Sequence, residues 1–320
     1  MRTLAAIAVF GFAMAVLPAF GPTDFMLSFL TLMLLFAYLG QGWNILGGYG
    51  GQFSFGNTVF FGAGLYVTVI TQVQFGLGPW AGLAAALLAG AAVAFAIGWL
   101  SFRYGLRGSY FALITLAFAE VFRIVANSIA ITGAGAGLQV PLDPSPANLQ
   151  FVGREGFYWI ILALTVGSLL LAWQLERSRF GVYLIAIRDD EDAARALGVD
   201  IFRTKLRAIV LVGAMTALGG AFYGQMFLYV DPHIAFGVSV SVEVLLVSIV
   251  GGMGTVFGPL LGAAALHTLS EVARETMGDT PGLNLALYGA LLVVMVMFLP
   301  KGLFGLASFS ARRLLKGWRS

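Results

Sequence analysis

"RDDEDAARALGVD", residues 188–200, reads as a water-facing helix set into a chain that is otherwise almost wholly apolar. Six charges stand between Arg188 and Arg195, in a chain of 320 residues that has only 18 basic and 15 acidic ones. Asp189 is placed to cap the helix with Asp192 three residues on, a variant of the capping box. Asp190 and Glu191 complete an acidic first turn, which suits the positive end of a helix dipole. Ala193, Ala194 and Leu197 follow at helical spacing, and Gly198 is placed to end the helix in a left-handed conformation. A plain solvated loop needs neither caps nor an apolar stripe. A short helix with small residues on one face suits a groove on a partner protein.

The surroundings of this island set the class. Hydrophobic residues make up 59% of the chain and charged ones 10%, with a mean hydropathy of +0.91. Soluble domains carry about 25% charged residues. The chain therefore reads as an integral membrane protein whose constant partner is the lipid bilayer. Many of its 42 glycines lie four apart, as in Gly220 and Gly224, or Gly254, Gly258 and Gly262. That spacing lets helix backbones approach closely in lipid. The absence of cysteine excludes disulfides and thiolate chemistry. A net charge of +3 is no nucleic-acid signature here, because the basic residues lie mostly in loops and at the tail. The apolar run after Arg2 is followed by further spans, so a retained first span is expected rather than a cleaved leader.

A helix needs about 20 apolar residues to cross a bilayer. Crossings are expected at 4–20, 25–46, 57–74, 79–101, 108–127, 157–174, 207–229 and 284–300. The stretch 240–275 is too long for one span and is interrupted by Gly251, Gly252 and Gly254, then by Gly258-Pro259. Orientation resolves it. Lys and Arg favour the cytoplasmic side, and they concentrate in 177–207 and in the tail from Lys301. An even number of crossings must separate those segments, so 240–275 contributes two: a short helix at 240–251 and a second at 258–275. The result is an all-α integral membrane protein with one membrane domain over 1–320. About ten transmembrane helices, one of them short and glycine-broken, leave both termini cytoplasmic. The acidic island then lies in a cytoplasmic loop, 175–206, and the opposite face carries one long Pro-rich loop, 128–156. "GGYGGQFSFG" (47–56) and "GGMGTVFG" (251–258) form a weak internal echo; paired glycine-broken segments point to a transport path.

No Walker motif, no G-x-G-x-x-G and no H-E-x-x-H is present. The two histidines, His233 and His267, are too few and too far apart to suggest a metal site, and no constellation supports catalysis or a cofactor. Ionisable groups within spans are more informative, since a charge at mid-bilayer costs about 2.5–3.5 kcal/mol. Glu243 stands without a nearby basic residue in sequence. Glu120 lies three residues from Arg123 and is placed to pair with it. Gln41, Asn44, Gln52 and Asn57, with Ser54, cluster around the first glycine turn, where they can satisfy broken backbone. Gln52, Ser54, Asn57, Glu120, Glu243, Gly251, Gly252 and Gly254 are the candidate residues of a path or gate.

Longer stretches carry a resemblance. "DAARALG" (192–198) resembles the E-A-A-x-x-x-G coupling motif of ABC-importer permeases, with Asp192 in place of Glu. "GYGGQFSFGNTVFFGAGLY" (48–66), "LRGSYFALITLAFAEVFRIV" (106–125), "SRFGVYLIAIRDDEDAARALGVDIFRTKL" (178–206) and "SIVGGMGTVFGPLLGAA" (248–264) resemble the branched-chain amino-acid ABC importer permease family, its LivM-type subunit more than its LivH-type. Asn57 departs from the His expected in that pattern. The resemblance implies an ABC-importer permease fold in the bacterial cytoplasmic (inner) membrane and an ATP-driven importer of branched-chain amino acids. Relatives carry urea, amides or aromatic acids. It implies a homologous LivH-type permease subunit, two cytoplasmic ATPase subunits and a periplasmic or extracellular substrate-binding protein. In such a machine Asp189 to Ala194, with Leu197 and Gly198, would couple to the ATPase. An ion-coupled secondary transporter is the alternative from a different class.

Overall fold

The computed structural model describes residues 2–151 and 153–277, with 282, 286, 289, 290 and 302–305. Over residues 2–277 twelve α-helices run in chain order: α1 (Arg2–Val16), α2 (Asp24–Asn44), α3 (Asn57–Val73), α4 (Pro79–Arg103), α5 (Gly108–Ser128), α6 (Glu155–Arg177), α7 (Arg179–Asp189), α8 (Glu191–Ala196), α9 (Ile201–Phe227), α10 (Pro232–Phe236), α11 (Val238–Gly251) and α12 (Gly258–Met277). Among the described residues, seven helical runs are long and apolar enough to cross a membrane, and Asn57–Val73 is apolar but shorter. The described residues leave the count of about ten unconfirmed, and most of the crossing expected over 284–300 lies outside them.

The glycine break falls where the sequence placed it. α11 stops at Gly251, Gly252 and Gly254 take φ of 121° and 71°, and α12 resumes at Gly258. Two boundaries differ from expectation. α9 starts at Ile201 rather than near 207, because Asp200 caps it by accepting from the Arg203 N–H at 3.0 Å. The island is preceded by a separate helix, α7, capped by Ser178.

The molecule has two ends. Arg107, just before α5, reaches the island, whereas Ser128 at the other end of α5 leads into the loop. Twenty-one residues at about 1.5 Å each separate these ends by roughly the thickness of a bilayer core. The expected outer loop is not a plain tether. It carries β1 (Leu138–Gln139), which pairs antiparallel with β2 (Tyr229–Val230), a small sheet that an all-α reading omits. The Gln150 side chain bridges the loop, accepting from the Asp143 N–H at 2.7 Å and donating to the Pro141 carbonyl at 3.0 Å.

Packing in the membrane region divides into two parts. α3, α4 and α9 meet through glycine. A methyl group added to Gly64 would overlap the Ala217 carbonyl, one on Gly220 the Phe61 carbonyl, and one on Gly90 the Ala217 methyl. α2 runs through the other part, buried between α6, α11 and α12, with polar rungs as well as apolar contacts. Thr165 Oγ1 donates to the Leu34 carbonyl (3.1 Å), Tyr38 to the Met215 carbonyl (2.9 Å) and Ser248 Oγ to the Gly40 carbonyl (2.8 Å). Such interhelical hydrogen bonds and small-residue contacts hold helices together where lipid removes the hydrophobic drive between them.

Candidate functional site

Three clusters bear on function, and two of them touch. At the island end, α8 is capped by Asp190, not Asp189: one Asp190 carboxylate oxygen accepts from the N–H groups of Asp192 and Ala193, both at 2.9 Å. Asp189 is instead the last residue of α7 and pairs with Arg188 at 3.0 Å. The cap moves because Asp190 is the residue in extended backbone (φ −157°) between the two helices. Gly198 ends the turn at φ 85°.

The island is fastened by charge. Glu191 accepts from Lys205 Nζ on α9 at 2.7 Å and lies 3.3 Å from Arg107 before α5. Asp192 lies 3.3 Å from Arg195 and 3.5 Å from Arg107. Lys205 is only 3% exposed, and its ammonium lies over the Phe102 ring, 5.6 Å from the centroid. The expected docking face needs correction at one position. Ala194 turns inward, 2% exposed, against Ile187 and Ile201. Ala193 and Leu197 face outward, and Leu197 is 85% exposed.

Beneath the island the two glycine-broken segments meet. After α2 the chain makes a π-helical turn over Ile45–Tyr49, with Gly51 at φ 66°. Asn44 closes this turn onto the other one: its Oδ1 accepts from the Gly254 N–H at 2.7 Å and its Nδ2 donates to the Thr255 carbonyl at 3.0 Å. Arg188, on α7, donates to the Gly48 carbonyl at 3.1 Å and packs against Gly51. Gln52 donates to the Gly50 carbonyl (3.3 Å), and Ser54 Oγ accepts from the Gly56 N–H (3.1 Å). These side chains satisfy backbone that helix geometry has released, as irregular structure at membrane depth requires. Asn57 and Gln41 are buried with no hydrogen-bond partner among the described residues. Thr58, which the sequence reading passed over, ties the start of α3 to the far segment. Its hydroxyl donates to the carbonyls of Ala235 (3.1 Å) and Gly237 (3.0 Å), and its N–H to Ser241 Oγ (3.0 Å).

The third cluster surrounds Glu243. Its carboxylate lies 3.8 Å from His267 Nε2 on α12, close in space though far in sequence but beyond hydrogen-bond distance. Phe36 packs on His267 with ring centroids 5.0 Å apart. Phe36 is twelve residues from the start of α2 and eight from its end, about 18 and 12 Å along the axis, which places the pair near mid-depth. Glu243 lines two cavities, of about 480 and 300 Å³. Glu120 does not join them. It pairs with Arg123 (Nε to carboxylate 3.0 Å) and lines neither cavity. Gly251, Gly252 and Gly254 belong with the turn at the island end, about 12 Å below Glu243 by helix rise. Apart from Glu120, the candidate residues thus separate into an island-end turn and the cavity at Glu243. No group of three or more His, Cys, Asp or Glu suited to a metal occurs among the described residues.

A many-helix membrane body with a cavity that holds a partly buried carboxylate and a charged clamp at one end has the build of a permease. Comparison with known proteins gives the family. Residues 25–296 match the family described as "Branched-chain amino acid transport system / permease component". The chain is 32% identical over 297 residues to the high-affinity branched-chain amino acid transport system permease protein LivM of Escherichia coli (strain K12), covering 85% of this chain and 68% of that protein. The same figures hold for LivM of Salmonella typhimurium. A shorter similarity, 32% over 126 residues (38% of this chain, 36% of the relative), links it to the autoinducer 2 import system permease protein LsrC of Klebsiella pneumoniae. No solved structure matches the chain. The chain belongs to the branched-chain amino acid transport system permease family, and it is a multi-pass membrane protein.

Proposed function

We propose that the chain is the LivM-type permease subunit of an ATP-driven importer of branched-chain amino acids in the bacterial cytoplasmic membrane. It pairs with a homologous LivH-type permease. Two ATPases grip it at residues 188–198 on the cytoplasmic side, and a substrate-binding protein docks at the opposite end, where the 128–156 loop lies. One observation carries this reading: α8 is a capped helix, fixed to two spans by Glu191 and presenting Leu197 to the surface. A helix built that way transmits a push instead of absorbing it.

The contacts suggest how the push travels. Arg188 sits at the end of α7, next to α8, and holds the first glycine turn, which Asn44 clasps to the second. Tilting α7 and α8 would therefore strain the closure formed by residues 47–51 and 252–255. A nucleotide-driven change in the ATPases favours one of two arrangements of that closure, and so acts through differential contact with the two states.

The test is Leu197→Asp in the complete reconstituted importer. A change at so exposed a position alters stability by no more than about 0.5 kcal/mol. ATP-driven leucine uptake is expected to fall at least tenfold while the fold stays intact. Unchanged uptake would overturn the coupling role. The Glu243–His267 pair at mid-depth favours a second reading, transport coupled to an ion gradient. Uptake by the isolated chain in ATPase-free liposomes under such a gradient would establish it in place of the first.

A further inference from the structure

Of the long apolar helices, α1, α4 and α5 are the least buried. The bare surfaces of α1 and α4 suit lipid, because neither helix carries a charge between its terminal residues. α5 is built differently. Its inner face, with Phe111, Thr115, Ala119 and Ala126, is buried against the chain. Thr115 accepts from the Phe55 N–H at 3.1 Å, and Phe111 stacks on Phe102. Its outer face holds Leu113, Ala117, Glu120, Ile124 and Asn127, all exposed among the described residues. These positions alternate four and three residues apart, the spacing of a coiled-coil seam.

Glu120 stands at the centre of that seam, and its side chain is 48% exposed. Helix rise places it about 18 Å from Gly108 and about 12 Å from Ser128, within the hydrocarbon depth. Arg123 reaches back along the helix to it, Nε to carboxylate 3.0 Å, and so leans away from the loop end instead of snorkelling toward it. His233, exposed at the start of α10, acts on the same carboxylate through space. Ionisable groups at such depth are costly against lipid and almost always face protein or water.

We propose that this seam of α5 is an interface between membrane subunits, and that its occupant is a helix of the homologous permease. The depth of Glu120 rules out a water-soluble occupant, since ATPases and a binding protein reach only the two ends. Ala117 lets a partner helix approach closely. Nε and Nη2 of Arg123 engage Glu120, which leaves Nη1 free among the described residues to donate to a carbonyl or side-chain acceptor on that helix. A polar position inside an apolar seam sets register and choice of partner. The Glu120–Arg123 pair therefore selects which helix is accepted. The identity of the occupant rests on the importer reading above, whereas the contact with protein rests on the charges of α5.

The experiment uses the complete importer in nanodiscs. The photo-crosslinking residue p-benzoylphenylalanine replaces Leu113 or Ile124 on the seam, or Phe95 on the bare face of α4. On illumination, positions 113 and 124 are expected to give an adduct with the companion permease in at least tenfold higher yield than position 95. Adducts with lipid alone overturn the proposal, as do adducts with a second copy of this chain. Equal yields from position 95 overturn the choice of α5. A second measurement removes the charges with Glu120→Leu and Arg123→Leu together. In the isolated chain, whose seam then meets lipid, this variant is expected to keep or raise the unfolding temperature. A fall there would mean that the pair supports the chain's own fold, and overturns the assignment. In the complete importer the same variant is expected to lower recovery of the companion permease at least tenfold, and undiminished recovery overturns the selecting role of the pair. If wild type recovers no companion permease, the importer reading falls and takes the interface with it. If recovery and leucine uptake are normal while the seam gives only lipid adducts, the interface alone falls.

Discussion

Replacing Glu191 by alanine will undock α8 from the membrane body, and the size of the effect follows from its neighbours. Glu191 is the carboxylate paired with Lys205 among the described residues, at 2.7 Å, and Lys205 is 3% exposed. Removing one partner of a buried pair costs about 3–5 kcal/mol because the other charge is left uncompensated. Lys205 lies only five residues into α9, so its ammonium can bend toward water at the island end, as long amphipathic side chains do. The lower figure, about 3 kcal/mol, is therefore expected, or roughly two powers of ten in the docked fraction. Arg107 and Arg195 lose a partner as well, but both are more exposed and add little. The assay is limited trypsin digestion at Arg195 and Arg203 in nanodiscs, alongside thermal unfolding. The double variant Glu191→Leu with Lys205→Met removes both charges and fills the space with apolar atoms. It should regain most of the loss. If the double variant is cleaved as fast as Glu191→Ala, the clamp is not electrostatic and the account of α8 fails.

Other outcomes follow from the packing. Asn44→Leu leaves the Gly254 N–H and the Thr255 carbonyl unpaired, at about 1–3 kcal/mol each. Because the chain has no cysteine, Val256→Cys provides a clean reporter of this turn, and its thiol labelling should accelerate at least tenfold in the Asn44→Leu background. Gly64→Ala pushes a methyl into the Ala217 carbonyl, which cannot rotate aside, and should lower the unfolding temperature by an amount reflecting about 1–3 kcal/mol or more. Gly167→Ala, where a methyl meets only open space, should instead stabilise α6 by about 0.5–1 kcal/mol. Opposite signs for these two glycines would confirm that the close approach, not glycine itself, governs the α3–α9 contact.

How much of this was legible in the chain depends on the range of the interaction. Gly251 to Gly258 announced their break because glycine and proline act locally, and Gly198 likewise. The cap was misplaced by one residue because Asp189 and Asp190 are equally able to cap; only the extended backbone at Asp190 decides between them. The charges Arg203, Lys205 and Arg207 made the start of α9 read as loop. The helix starts there because Asp200 caps it, and Glu191, from another element, pairs with Lys205. His267 as neighbour of Glu243 was invisible for the same reason: the two lie on different helices and meet only after the glycine turn folds α12 back onto α11. Ala194 matched a docking stripe by spacing, yet an alanine fits an internal contact just as well, and Ile187 and Ile201 claim it.

The glycine contacts among α3, α4 and α9 bear on how the protein responds to hydrostatic pressure. Backbone pressed on backbone leaves almost no empty space there for pressure to remove. The cavities of about 480 and 300 Å³ lie on the other side, beside α2, α11 and α12, and are half open to the surroundings, so they are not sealed voids either. Pressure acts on sealed voids, so the three glycine-packed helices are expected to keep their mutual distances under it.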